Sequence, residues 1–250
     1  MKKVDTIQTV VPVLKVNNRA QNLAFYEDVL GLKILQEENA FIDLGGHGER
    51  TVLLTLEESP SMRTRQVRGD SKLVRLVFKV ANSQEIEALL AKGVSYQTLF
   101  RGQNGWAFSA ISPEGHEVLL HSETSLEDLE PVEAVPSFDN PLTVFLGVTV
   151  LKLDQVIIRT PEPDSSQAFY QSLFGDQLPV SFLWGQGEDL QADNSLTWDL
   201  VGFDIQASPD LALAELKTGL TNQGLDVFLD KKERLLALED PNRLSLSLRR

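Results

Sequence analysis

With 250 residues, 42% of them hydrophobic and 24% charged, the chain is long enough for two modest domains with well-buried cores and too apolar for disorder. Its formal net charge of −13 excludes a broad attraction to nucleic-acid backbones or anionic lipid, so any anion site has to be a local cluster of Lys and Arg. The absence of cysteine removes disulfides, thiolate metal sites and a thiol nucleophile.

Met1-Lys2-Lys3-Val4-Asp5 leads into no apolar h-region and no small-residue cleavage site. The expectation is a cytoplasmic, soluble protein made without a cleaved signal, with release to the cell surface left open. A β-rich stretch over 10–16 is followed by polar Asn17-Asn18-Arg19 and a helix in which Leu23, Tyr26 and Leu30 share one face. Gly31 suits the left-handed position that ends it. Phe78-Lys79-Val80 closes another strand, with Ser83 as the expected cap of a helix over 84–91 and Gly93 behind it. The turn Ser112-Pro113-Glu114-Gly115 precedes a strand over 117–121.

Residues 125–140 are acidic and carry two prolines, as an interlobe linker should. The apolar run over 142–151 is about half of a membrane span and reads as a connecting strand, so no membrane insertion is expected. A strand over 153–160 then leads through Glu162-Pro163-Asp164 into a second helix, ended by Gly175. Phe203-Asp204-Ile205, a cap at Ser208, a helix over 210–218, the turn Asp240-Pro241-Asn242 and a period-two strand over 244–248 complete the chain.

Two internal repeats organise these elements. Ala24-Phe25-Tyr26 recurs as Ala168-Phe169-Tyr170 at an offset of 144, and Phe78-Lys79-Val80 matches Phe203-Asp204-Ile205 at an offset of 125. The order is module A (8–58), module B (72–123), module A′ (152–197) and module B′ (198–250). Gly31 to Lys72 spans 41 positions but Gly175 to Ser195 only 20, so module A′ has lost a strand or two. The expected fold class is α+β, with two lobes of tandem βαβββ modules and the third module truncated. The expected division is an N-terminal lobe over 1–124 (A and B), an acidic linker and connecting strand over 125–150, and a C-terminal lobe over 151–250 (A′ and B′).

The helix reading Ala24-Phe25-Tyr26-Glu27-Asp28-Val29-Leu30-Gly31-Leu32, with Ser112-Pro113-Glu114-Gly115 before a last strand, resembles the glyoxalase/bleomycin-resistance/extradiol-dioxygenase (vicinal-oxygen-chelate) superfamily. Together with residues 57–65 and 101–106, nearly the whole chain is similar to the CppA family. That resemblance implies glyoxalase-like lobes, and it carries the label of a complement-degrading proteinase, with a complement protein as implied partner. Metal-binding superfamily members place ligands early in each first strand and in each last strand. By the resemblance those positions fall here on Val11, Arg75, Gln155 and Leu200, and on Leu119 and Ser245. A divalent metal needs three or more converging imidazoles or oxygens. Valine, leucine and arginine supply none, so no metal and no cofactor are expected.

Alternation places Val11, Val13 and Lys15 on one inward face, Arg75, Val77 and Lys79 on another, Gln155, Ile157 and Arg159 on a third, and Leu119, His121 and Glu123 on a fourth. One reading is an electropositive pocket in the N-terminal lobe that takes a small anion, with Arg75 as bidentate donor and Lys15, Lys79, His121 and Trp106 as further ligand-binding residues. The other is that Arg75 pairs with an internal carboxylate, Lys15, Lys79 and Arg159 are solvated rim, and Trp106 is plain core. Residues 61–69, with Arg63, Arg65 and Arg68, form either a lid on that pocket, a surface for an acidic partner, or a loop neutralised by Glu57 and Glu58. Against the proteinase label, the sequence has no H-E-x-x-H, no G-x-S-x-G and no aspartic signature. His116 and His121 near Ser109 and Ser112 specify no oxyanion hole. Three functions stay open: a metal-free small-anion-binding protein, a complement-degrading proteinase, and a structural or partner-binding module.

Overall fold

The computed structural model describes Val4 and residues 7–59, 62, 64–134 and 136–250; Ser61 and Arg63 of the expected basic loop lie outside the described residues. Module A supplies β1 (Ile7–Val16), α1 (Arg19–Ala24), a π turn over Phe25–Val29, β2 (Lys33–Glu38), β3 (Phe41–Gly45) and β4 (Leu54–Glu58). Module B supplies β5 (Leu73–Val80), α2 (Ser83–Ala91), β6 (Thr98–Arg101), β7 (Trp106–Ile111) and β8 (Glu117–His121), followed by the short β9 (Glu130–Pro131). Module A′ contains β10 (Leu151–Thr160), α3 (Pro163–Phe174) and β11 (Val180–Trp184). Module B′ contains β12 (Leu200–Ala207), α4 (Leu213–Thr221), β13 (Val227–Leu229), β14 (Leu235–Glu239) and β15 (Ser245–Arg249).

Both Ala-Phe-Tyr repeats sit on helical turns whose tyrosines are buried. The helix starts differ from expectation in their caps. Asn82, not Ser83, accepts from the Gln84 amide at the start of α2, and Ser208 accepts from Asp210 outside α4, which begins at Leu213 without a side-chain cap. An Asn one residue earlier reaches the same orphan amides that a Ser would have reached.

The sheets are assembled across the chain's midpoint. One has the order β13-β14-β15-β12-β1-β4-β3-β2 and joins modules A and B′; the other has the order β11-β10-β5-β8-β7-β6-β9 and joins B with A′. The seams are the antiparallel pairs β1–β12 and β5–β10. An α+β architecture of two curled, two-module sheets is therefore present, but the expected grouping of A with B and A′ with B′ differs from the strand pairing. Alternating strands tell which face is buried, not which neighbour they take. Contacts within each half run instead through helices and turns. Tyr170 Oη donates to Asp240 at 2.9 Å, and Asn242 Oδ1 accepts from Thr160 (2.6 Å) and Ser166 (3.1 Å). In the other half, Glu114 Oε1 accepts from the Asn17 amide (2.9 Å) and Asn22 Nδ2 (3.0 Å).

Module A′ is short in a definable way. β11 runs parallel to β10 as β4 runs parallel to β1, so A′ keeps its first and last strands and lacks the hairpin equivalent to β2–β3. The expected connecting strand over 142–151 is not formed; 142–150 is irregular and β10 starts at Leu151. The segment is a strap instead. Val148 donates to Gly31 O and accepts from the His47 amide, Gly48 donates to Thr149 O, and Glu85 accepts from Thr149 N and Oγ1 at 3.0 and 2.6 Å. Val148 and Leu151 are buried, but Val144, Leu146 and Val150 are exposed, a distinction that an apolar run alone cannot make.

Candidate functional site

The inward faces of the first and last strands do not fit a metal. Val11 is buried and apolar. Leu200 does not face the concavity, because a bulge between Val13 and Leu14 pairs it with Leu14 and both pack in the core. Leu119 offers no donor atom, and Gln155 Nε2 is spent on Ser181 Oγ at 3.2 Å. Among the described residues no three His, Asp or Glu side chains converge as a metal cluster.

Arg75 is neutralised from within. Its Nε lies 2.6 Å from Glu117 Oε2, because the parallel register of β5 and β8 sets Arg75 opposite Glu117 on the same face. With Glu117 as its partner, Arg75 fits the internal ion pair rather than a bidentate donor to a bound anion. Lys15 is likewise spoken for. It is buried in the other sheet, 3.2 Å from Glu57 and 3.3 Å from Asn194 O, and does not share a pocket with Lys79. Trp106 lies on the helix-facing side beside Phe108, edge-on to Phe138 at 5.2 Å and under the Arg101 guanidinium; it is core, not a pocket wall. The basic loop is tied down as well. Arg65 makes a bidentate pair with Asp189 (2.6 and 2.6 Å), the Arg68 amide adds a third bond to that carboxylate, and Arg65 bridges Thr197. A segment stitched to module A′ in this way is not a free lid.

Two of the expected ligand residues, Lys79 and His121, do come together. They are register partners on β5 and β8, and Lys79 lines a cleft of about 640 Å³ at one end of the two sheets. The cleft's apolar wall is Val10, Val52, Leu53, Leu151, Leu153 and Pro179, and its polar groups include Lys79, Lys152, Asp154 and Glu49. Lys79 and Lys152 are direct cross-strand partners on β5 and β10, so two ammonium groups project from the same face. Like charges directly opposite destabilise a sheet. Lys152 has Asp154 at 3.7 Å, while Lys79 has no carboxylate at ion-pair distance among the described residues. Asp154 reaches the cleft because a bulge between Leu153 and Gln155 turns it out of register.

Behind this wall His121 is fully buried. Its Nδ1 accepts from the Glu123 amide (3.2 Å), which puts the proton on Nε2, 3.2 Å from Asp154 Oδ2. Burial pushes the imidazole below its ordinary value; Asp154 opposes the shift and Lys79 reinforces it. The ring is therefore neutral near neutral pH. Because its folded value is depressed, the stabilisation it carries is present above the ordinary imidazole value of about 6.5 and is lost as pH falls through the folded one. Urea midpoints measured over that range should fall with acidification in the wild type. His121→Asn, whose Oδ1 can still accept from Glu123, should lack that component; parallel curves would refute the assignment.

A second buried cluster was missed from sequence. Asp199, at the entrance to β12, accepts from the amides of Lys72 (2.6 Å), Leu73 (3.0 Å) and Leu200 (2.8 Å), and His116 Nε2 lies 3.2 Å away. Burial opposes its ionisation, but His116 and the Leu73 and Leu200 amides outweigh it and hold the carboxyl below the usual range. Lys72, itself buried, donates to Ala192 O at 2.8 Å; burial lowers its ammonium, with Asp199 opposing. The cluster joins β5 and β8 of one sheet to β12 of the other. The only visible signal was an aspartate, Trp198-Asp199, opening an apolar strand. Ser112 Oγ accepts from the His116 amide rather than addressing its ring, and the Ser109 hydroxyl has no partner among the described residues. Neither histidine ring bonds a serine hydroxyl among the described residues, so a serine nucleophile beside its base is not assembled.

Comparisons with known proteins agree with this architecture. Residues 9–132 match the family described as CppA N-terminal, and residues 148–248 match the family described as CppA C-terminal. The crystal structure of the cppA protein from Streptococcus pneumoniae TIGR4 is similar at 34% identity over 98% of this chain and 99% of that one, with a TM-score of 0.86. At 13% identity a Bacillus subtilis protein named as a candidate dioxygenase superimposes with a TM-score of 0.64, over 100% of this chain and 86% of that one. Glyoxalase I from Zea mays does so at 12% identity with a TM-score of 0.57, over 97% and 92%. These two share the fold. No curated protein matches the chain in a sequence comparison.

Proposed function

The chain belongs to the CppA family, and from that premise we propose that it is a metal-free small-ligand-binding protein that holds an anionic molecule in the cleft between its sheets. The observation that carries the reading is the opposed pair Lys79 and Lys152 on the cleft wall. Two ammonium groups facing one another repel, and a carboxylate or phosphate placed between them removes that repulsion. The apolar part of the ligand then rests on Val10, Leu53, Leu151 and Pro179, in a cleft whose volume suits a small organic molecule. Asp154 lies 3.2 Å from His121 Nε2 and 3.7 Å from Lys152, which leaves Lys79 as the cleft lysine without a carboxylate at ion-pair distance among the described residues.

Thermal shift with a panel of small mono- and dicarboxylates and phosphate esters tests the reading. At about 100 times its Kd a true ligand stabilises the fold by about 2.7 kcal/mol, which is several degrees in Tm. Lys79→Met should abolish the rise and Lys152→Met should weaken it. Arg75→Ala, already paired with Glu117, should keep it. A response that survives in the Lys79→Met, Lys152→Met double variant, or one lost only with Arg75, would sink the proposal.

A further inference from the structure

Among the described residues four strand edges end the two sheets, and three of them are guarded. β2 carries Lys33, Glu37 and Glu38; β13 has only three residues and is flanked by Asp226 and Asp230; β9 has two residues, one of them Pro131. Charges, shortness and proline are the usual means by which proteins blunt a sheet edge against another chain. β11 carries none of them within the strand, and only Pro179 at its entrance precedes it. It is five residues long, and its outer side is open because module A′ lacks the hairpin that covers the equivalent β4.

The backbone of this edge is oriented for a partner. The Val156 amide donates to Pro179 O, and the Gly185 amide donates to Thr160 O. Odd-numbered residues of the strand thus turn their peptide groups toward β10, and by alternation Phe182 and Trp184 turn theirs outward. The side chains there are uncovered as well: Trp184 is 69% and Leu183 48% exposed, on opposite faces of the strand.

We infer that this edge pairs with the β11 edge of a second copy, antiparallel about a two-fold axis at Phe182, so that one sheet runs through a dimer. The occupant is argued from charge. A chain of net charge −13 repels its own copy, except over a patch that carries none, and residues 177–187 contain no ionisable side chain. Glu188, the first charge beyond, is held by Arg68 at 3.6 Å. An acidic or basic partner finds nothing on this strand to read, whereas a neutral strand complements itself. In the two-fold register the outward peptide groups of Phe182 exchange bonds with their own copy, and Trp184 lies against Val180 of the partner subunit. That contact covers the exposed indole. Ser181 and Leu183 of the partner subunit form the non-hydrogen-bonded pair, in which Cα atoms come within about 4.5 Å.

The test is mass by light scattering across a concentration series, together with site-directed crosslinking, which the cysteine-free chain makes clean. The wild type should be dimeric. Leu183→Lys and Trp184→Lys, both at exposed positions, should be monomeric with an unchanged far-UV circular dichroism spectrum, and their Tm should lose the concentration dependence of the wild type. Ser181→Cys combined with Leu183→Cys should yield a covalent dimer on mild oxidation, since its Cα separation lies in the disulfide range of about 4.4–6.8 Å. A wild type that is monomeric throughout leaves the edge to a foreign strand and overturns the proposal. So does a dimer that both lysine variants leave intact, or a double-cysteine variant that stays uncrosslinked.

Discussion

Replacing Asp199 with Ala should cost about 3–5 kcal/mol of folding free energy, the range for removing one partner from a buried charge cluster. Three backbone amides, at Lys72, Leu73 and Leu200, lose their acceptor at once, and each orphaned buried donor costs about 1–3 kcal/mol before relaxation. The buried ammonium of Lys72 loses a compensating charge as well. Against a total stability of roughly 5–15 kcal/mol this is a large fraction. Urea unfolding monitored by tryptophan fluorescence measures it, and Trp198 next to the site reports locally. The pH profile adds a check of sign. The folded carboxyl lies below its ordinary value, so its contribution is present above the unfolded value of about 3.9 and disappears only as pH falls through the folded one. That window is more acidic than the one assigned to His121, and the two variants should remove different parts of one curve. A loss below about 1 kcal/mol in Asp199→Ala would show that the cluster is not a hub.

The second large effect is steric. Gly202 lies in the centre of the eight-stranded sheet, opposite Val13 on one side and Ser245 on the other. A Cβ added there would collide with the Ser245 carbonyl oxygen and lie only 2.7 Å from the Ser245 carbonyl carbon and nitrogen. These are backbone atoms, so no rotamer change relieves the clash; β12 and β15 have to part. Overpacking of about 1–3 kcal/mol and the loss of two or more ladder bonds at about 1 kcal/mol each make Gly202→Ala a change of at least 3 kcal/mol. In a chain of this size that lowers Tm by about 10 °C. Gly115, where an added Cβ meets nothing within 4 Å, is the comparison, although its φ of +90° makes even that substitution strained. If Gly202→Ala matched Gly115→Ala, the tight β12–β15 approach would be refuted.

Much of the fold was legible because it is written in local pattern. The first strands, the four helices and the last strands follow from periods of 2 and 3.6 repeated at two offsets, and the shortness of module A′ follows from a simple spacing. What was not legible is long-range. Nothing in β1 says that its neighbour is β12 rather than β5, because both candidates offer an apolar alternating strand. The apolar run at 142–151 looked like strand, but Val144, Leu146 and Val150 are exposed and its backbone bonds run to turns and loops. At the site, Arg75 and Glu117 both stood at inward positions of adjoining strands, and their pairing was recoverable had the β5–β8 register been asked. Asp154 was not recoverable: it reaches His121 only through a bulge that leaves no mark in composition. Lys15 was grouped with Arg75 and Lys79, but β1 and β5 belong to different sheets, which no local pattern records.

The crossed pairing of modules also governs how the molecule is made. β1 leaves the ribosome first, but its antiparallel neighbour β12 begins at Leu200, near the end of the chain. At synthesis rates of about 5–20 residues per second the nascent strand waits on the order of 10–40 s for its partner, with an apolar edge open all that time. Module B waits too, for β10, though less long. The last quarter of the polypeptide completes a sheet that the first quarter began. A chain stopped between residues 132 and 200 lacks β12 to β15, and the side of β1 that β12 covers stays unpaired.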